Sequence, residues 1–370
     1  MNTKYSLNTD DGEDIIYINI QTTNQSDELK LLETVINRTS YIIRNPQEYQ
    51  LSLIRFQIPT LNLPLWFFNP SIIYAVGLEF GVFDVTQALV YVDTNVGSNY
   101  RFGIWSYTDL CDMINKAISD AFTAIQALPG FPGFPPNTFA PYIQYEPTLK
   151  CFSVVADSNW KDTSPFSNPS IPRLYFNDNL FRLFNNFKSL NGGLGPFSIT
   201  GLNDGNNLIE IQDLGNNRIN TKYLMPPPPL PAPPATPVPG FIMTQDFSTV
   251  YLINSLSSIA ITSVDLPVTQ INTTQTILGN SASSNTYLQL VDDFQPLLSG
   301  PETAGDQRSI LEYQPSIFRY TTLVGASPLQ TVSLSFYAYL ADQNKYVPLY
   351  IAPQQYFSLR LMFKRKKLNF

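Results

Sequence analysis

Three groupings of side chains in this 370-residue chain have the types and spacing to do chemistry. Around Gly12, the carboxylates of Asp10, Asp11, Glu13 and Asp14 crowd together as in a Ca²⁺ loop, because hard cations prefer several oxygen ligands. Their spacing lacks the D-x-[DN]-x-[DN]-G form, so a solvated acidic arm is the expectation. Asp292 and Asp293 offer two carboxylates for acid–base work, but neighbours on a strand project to opposite faces, so the pair reads as part of a turn. Lys364, Arg365, Lys366 and Lys367 form the one dense basic run. It suits a charged end to the last strand that discourages edge pairing. Less directly, it suits a weak, salt-sensitive contact with DNA or an acidic partner.

Most other chemistry is excluded by residue type. Histidine is absent, which removes imidazole bases, imidazole metal ligands and the side chain that titrates near neutral pH. Cys111 and Cys151 are too few for a disulfide framework or a four-ligand zinc site and read as buried free thiols. No phosphate-cradling glycine motif, nucleophile elbow or H-E-x-x-H occurs. A net charge of -7 gives no basic field over the whole surface. No catalytic residue, cofactor or metal is therefore expected. The first residues lack the apolar run of a signal peptide, and no segment approaches the roughly 18 apolar residues that span a bilayer, so neither is expected.

The elements that must position these groups are mostly β. Hydrophobic residues make up 44% of the chain against 14% charged, with 13% aromatic residues and 30 prolines, a balance that folds and favours short strands broken by turns. Strand patterns cover residues 15–20, 49–58, 150–156, 249–264, 286–291, 331–340 and 356–363. In 49–58, Leu51 and Leu53 alternate out of phase with Ile54, Phe56 and Ile58, as in an inner strand covered on both faces. Residues 107–128 repeat apolar positions at three and four, predicting an amphipathic helix capped by Ser106 and Asp109 and stopped by Pro129-Gly130. Residues 174–190, with helical spacing of Leu180, Leu183, Phe184 and Phe187, are predicted to form a short helix. The proline run 226–240 reads as a polyproline strut reaching roughly 43 Å at about 3.1 Å per residue. Leu65, Trp66, Phe67 and Phe68, and the loop aromatics Phe131, Phe134 and Phe139, need a cover, which is either a subunit interface or the core.

Strands before and after a helix-bearing middle predict a mostly β fold, a β-sandwich or jelly roll with an inserted α+β region carrying one well-marked amphipathic helix. The divisions expected are 1–100 for the N-terminal part of the jelly roll, 101–225 for the insertion, 226–240 for the strut and 241–370 for the C-terminal part.

Several motifs in order resemble the penton, or minor capsid, proteins of virophages and polinton-like double-stranded DNA viruses. They are NPQEYQLSLIRFQIPT at 45–60, the Ile-Asn-x-Ala core at 114–117, LYFNDNLFRLF at 174–184, IAITSVDLPV at 259–268, VDDFQP at 291–296 and YVPLYIAPQQYFSLRLMF at 346–363. Residues 226–240 have no counterpart in that pattern. The resemblance implies a single jelly-roll β-sandwich and a structural, non-enzymatic protein of the virion, forming homopentamers at the fivefold vertices of an icosahedral shell beside the major capsid protein. On the residues alone, an attachment module that binds a host receptor or glycan is the alternative, with Trp66, Trp105 and Trp160 as stacking candidates. A carbohydrate-active enzyme is a third class, and the sequence offers no distinctive carboxylate pair for it.

Overall fold

The computed structural model describes residues 2–9, 15–28, 30–59, 64–94, 102–160, 170–187, 189–191, 207–209, 219–224, 238–253, 256–268, 271–272, 288–295, 297–299, 310–340 and 345–366. The acidic cluster Asp10, Asp11, Glu13 and Asp14, residues 226–237 of the proline run, and Lys367 lie outside the described residues. The chain divides into two compact units. One comprises Met1–Leu65, Asn95–Arg101 and Ser255–Phe370, and the other Trp66–Thr94 and Phe102–Asn254. The stretch Trp66–Thr94 thus groups with the middle of the chain, although the sequence pattern assigns it to the N-terminal part.

The first unit is two antiparallel sheets sharing one core. In one sheet Ile15–Thr23, Tyr356–Arg365, Tyr49–Pro59 and Ile310–Tyr313 lie side by side in that order. Asn2–Thr9 and Leu297–Ser299 extend its two ends. In the other sheet the order is Glu33–Asn37, Thr331–Leu340, Leu256–Thr262 and Leu288–Phe294. Period-two alternation sends Val332, Leu334, Phe336 and Ala338 of one sheet and Phe357, Leu359, Leu361 and Phe363 of the other into the same core. Phe56 ties the layers together, with ring centroids 5.0 Å from Phe294, 5.9 Å from Phe336 and 5.4 Å from Phe357. Burying each such side chain contributes about 1.5–3 kcal/mol.

The strand Tyr49–Pro59 differs from its expected two-faced form. Its ladder with the terminal strand pairs Arg55 with Arg360 and then Leu53 with Leu361, leaving Ile54 as the extra residue of a β-bulge. The bulge resets the alternation, so Leu51, Leu53, Phe56 and Ile58 all enter one core. Ile54 itself is half-buried.

The second unit holds a four-stranded sheet in the order Tyr142–Glu146, Cys151–Asp157, Val238–Thr244, Ile219–Leu224. It also holds a five-stranded sheet, ordered Ser189–Asn191, Asn207–Ile209, Arg173–Phe176, Ala75–Phe80, Phe83–Ala88. The long helix runs over Tyr107–Gln126, two residues shorter than its pattern, with reciprocal capping bonds between Ser106 and Asp109 at 3.0 and 2.9 Å. Its apolar stripe of Leu110, Ile114, Ala117, Ile118, Ala121 and Ile125 is buried. Three expectations are corrected here. Residues 174–190 do not form one helix: Arg173–Phe176 is a strand, and the helix is only Asp178–Leu183. The divide is Asn177, whose side chain accepts from Leu180 N at 3.1 Å and from Ala75 N at 3.0 Å, capping the helix while fixing the strand end. The end of the proline run is also not free strut, because Val238, Pro239 and Gly240 pair with Leu224, Tyr223 and Lys222. Pro239 precedes the first residue paired to Cys151–Asp157, so its missing N–H is needed by one neighbour at most. The pattern at 249–264 splits as well, into the helical turn Val250–Ile253 and the strand Leu256–Thr262.

Candidate functional site

The apolar residues singled out as candidate interface separate into two classes. Leu65, Trp66, Phe67 and Phe68 are 3–8% exposed, which leaves little area for a partner. Trp66 and Phe68 pack edge-on or tilted against Tyr74, each with centroids 5.2 Å apart. Phe131, Phe134 and Phe139 are half-buried on the loop after the long helix. Phe134 stacks on Phe122 of that helix at 4.5 Å and 4°, and Phe131 meets Phe80 and Phe83 of the hairpin at 5.6 and 5.4 Å. Val82, at the tip of that hairpin, is 90% exposed. The outer faces of Phe131 and Phe134 and the tip Val82 are therefore apolar surface carried by the second unit.

The loop is held by a buried carboxylate. Asp157 accepts from Phe139 N and Asn159 N, both at 2.8 Å, while Trp160 Nε1 donates to Phe139 O at 2.9 Å. Burial pushes the Asp157 carboxyl above its usual range, and these N–H donors pull it back. Trp66, Trp105 and Trp160 are all buried, so the three rings expected to stack on a sugar are core residues. Large flat side chains bury readily in a β fold, and no sequence pattern separates that use from an exposed one.

The basic tail is partly spent within the chain. The terminal strand extends through Arg365, two residues past its pattern. Arg365 Nη2 donates to Glu48 Oε2 at 2.6 Å, and Lys366 Nζ donates to Gln47 O at 2.7 Å and Leu323 O at 3.4 Å. Lys364 Nζ lies 5.7 Å from the centre of the Tyr320 ring. Three of the four cations thus have internal partners, which lowers the field they present outward.

The two neighbouring aspartates form a cluster that sequence reasoning missed. They lie in the strand Leu288–Phe294, not in a turn. Its ladder pairs Ile261 with Asp292 and Thr262 with Leu290, so Val291 is the extra residue of a bulge. Val291 and Phe294 enter the core, and Asp292 lies opposite Ile261 of that core, whereas Asp293 lies opposite Ala260 on the other face of the sheet. Arg319 meets both: Nη2 donates to Asp292 Oδ1 at 2.6 Å, and Nη1 lies 3.4 Å from Asp293 Oδ1. Asp292 is 11% exposed and Asp293 50%. Burial pushes the Asp292 carboxyl up from 3.8 to about 6, with Arg319 opposing the rise. The signal that could have found the pair is an acidic doublet with an arginine downstream, which is too common to be specific. Among the described residues no group of three His, Cys, Asp or Glu side chains is placed to hold a metal ion. No described helix is long and apolar enough to cross a membrane.

Comparison with known proteins gives three findings. The family described as the Sputnik minor capsid protein V18/19 matches residues 72–365. A Sputnik virophage protein described as uncharacterized protein V18 is 30% identical over 24% of this chain and 70% of its own length. Among solved structures, a chain of the Sputnik virophage determined by cryo-EM is similar with a TM-score of 0.70 and 22% identity, covering 96% of this chain and 99% of that one. The crystal structure of the mavirus penton protein is similar with a TM-score of 0.64 and 17% identity, covering 95% and 99%. At those identities the two structures establish a shared fold.

Proposed function

The chain belongs to the Sputnik minor capsid protein V18/19 family, and from that membership we propose that it is a penton subunit whose homopentamers close the fivefold vertices of an icosahedral virophage-like capsid. One observation carries the reading. Numbered along the chain, the eight principal strands of the first unit lie in the orders 1-8-3-6 and 2-7-4-5, which is the strand order of a single jelly roll. The second unit enters between the third and fourth strands, after Leu65, and returns at Ser255. Jelly rolls recur as capsid building blocks because both sheets bury one face and leave loops at the ends for neighbours.

The role is structural rather than catalytic. Five identical copies close a ring through heterologous contacts, one patch docking on a different patch next door. Phe131, Phe134 and Val82 supply apolar area suited to such a contact, whereas Leu65, Trp66, Phe67 and Phe68 serve the fold of the single chain. The major capsid protein is the second partner, and Lys364, Arg365, Lys366 and Lys367 remain the proposed contact with DNA or inner capsid proteins, weakened by their internal pairing. A receptor- or glycan-binding role has less support, since its stacking rings are buried.

Purified protein imaged by negative stain and weighed by mass photometry is expected to give rings of five times the chain mass. Phe131→Ser with Phe134→Ser is expected to shift the population toward monomer. A chain that stays monomeric at tens of micromolar, while retaining its β-rich circular dichroism, would overturn the pentamer.

A further inference from the structure

We propose that Asp292 and Arg319 form an acid-released tether that holds the loop 314–320 against the first unit. The loop connects Ile310–Tyr313 to Thr321–Thr322 and carries conspicuous apolar surface, with Ile317 81%, Phe318 42% and Tyr320 38% exposed. Its polar attachment to the sheet is the guanidinium of Arg319, which reaches Asp292 at 2.6 Å and Asp293 at 3.4 Å. Lys364 adds a looser hold over the Tyr320 ring. Because Asp292 is 11% exposed, its charge is tolerated there chiefly through Arg319 and through Asp293 N, which donates to Asp292 Oδ1 at 2.9 Å.

Among the described residues, the groups facing Asp292 besides Arg319 come from four neighbouring strands and its own. Its own strand contributes Asp293. The strand Ile310–Tyr313 contributes Tyr313, which stacks on Phe294 at 4.2 Å and whose phenol also hydrogen-bonds with Arg319. The paired strand Leu256–Thr262 sets Ile261 opposite and has no ionisable side chain. Thr321–Thr322 adds only a hydroxyl, Thr321 Oγ1 donating to Val291 O at 2.9 Å, and the strand Tyr49–Pro59 presents Phe56 to Phe294. Ionised, Asp292 draws Arg319 in. Protonated, it keeps a weaker hydrogen bond and leaves Arg319 to the half-exposed Asp293, a pairing that solvent screens. The chain has no histidine, so the usual carrier of a response near pH 6 is missing. Asp292, raised to about 6, supplies one from a carboxyl. The tether belongs to the single chain and does not depend on the penton assignment.

The test is a spin label on the loop. Ser316→Cys places a thiol at an exposed loop position, and the native Cys111 and Cys151 are buried, 3% and 2% exposed, so the label goes to position 316. The electron paramagnetic resonance line shape is expected to sharpen between pH 7.5 and pH 5 in the otherwise native chain. Adding Asp292→Asn is expected to give the mobile line shape at both pH values. Arg319→Gln, at an exposed position, should do the same and serves if Asp292→Asn fails to fold. An identical line shape at both pH values in the native background, or a pH response that survives either substitution, overturns the tether.

Discussion

At the scale of single residues, Asp292 has opposite effects on the loop and on the whole fold. Its carboxyl sits at about 6 in the folded chain against 3.8 when free, because burial disfavours the charge more than Arg319 restores it. Between those values the folded chain binds a proton that the unfolded chain gives up. This contribution to stability is fully present below 3.8 and is lost as pH rises through about 6. A rise of that size is worth at most about 3 kcal/mol. Asp292→Asn should remove that slope, so the native chain gains on the variant in urea-unfolding free energy as pH falls from 7 to 4.5. Parallel pH profiles for the two proteins would mean that solvent reaches this carboxyl and leaves its titration ordinary. Acid is therefore expected to stabilise the unit through this group while loosening one loop, since burial governs the first effect and the guanidinium the second. Glu48 shows how a motif residue can act at a distance in sequence: Asn45 Nδ2 donates to it at 3.1 Å, and it accepts from Arg365.

At the scale of elements, the Ile-Asn-x-Ala core of the helix has a concrete task. Ile114 and Ala117 are buried, and Asn115 between them forms a two-bond clamp on the strand Tyr142–Glu146. Its Nδ2 donates to Ile143 O at 2.8 Å, and its Oδ1 accepts from Ile143 N. That strand is the edge of its sheet, and the amide supplies the partner that the ladder lacks there. Asn115→Ala should lower stability by about 2 kcal/mol, the scale of two lost hydrogen bonds with their backbone partners left unpaired. The check is chemical denaturation followed by far-ultraviolet circular dichroism. A change within about 0.5 kcal/mol would mean that water replaces the clamp without loss. The helix itself was legible in the sequence because caps and spacing are local. Arg173–Phe176 was not, because its four apolar or long side chains fit a helix period as well as a strand, and pairing with Ala75–Phe80 decides between them.

At the scale of the whole molecule, the first unit draws its core from both ends of the chain. Among the described residues, none between Trp66 and Ile253 belongs to that core. Replacing 66–254, the second unit together with the short stretch Asn95–Arg101 of the first, by a flexible Gly/Ser linker should therefore leave a cooperatively unfolding β-sandwich, because closing a longer or shorter loop changes stability only slowly with its length. Scanning calorimetry on the shortened chain checks this. Loss of a cooperative transition would show that the second unit is required for folding of the first. The shortened chain lacks the proposed contact residues Phe131 and Phe134, so it is expected to fold without forming rings.

The sequence by itself determined the β character, the alternation in 331–340 and 356–363, the capped helix and the family, because each rests on neighbours a few residues apart or on short motifs kept in order. The tertiary structure decided which aromatics are core and where the insertion begins at Trp66. It also decided that two adjacent aspartates share one arginine. The physical reason lies in the bulges at Ile54 and Val291: one extra residue in a ladder reverses which side of a strand every later residue faces. That choice is made by the partner strand, far away in sequence.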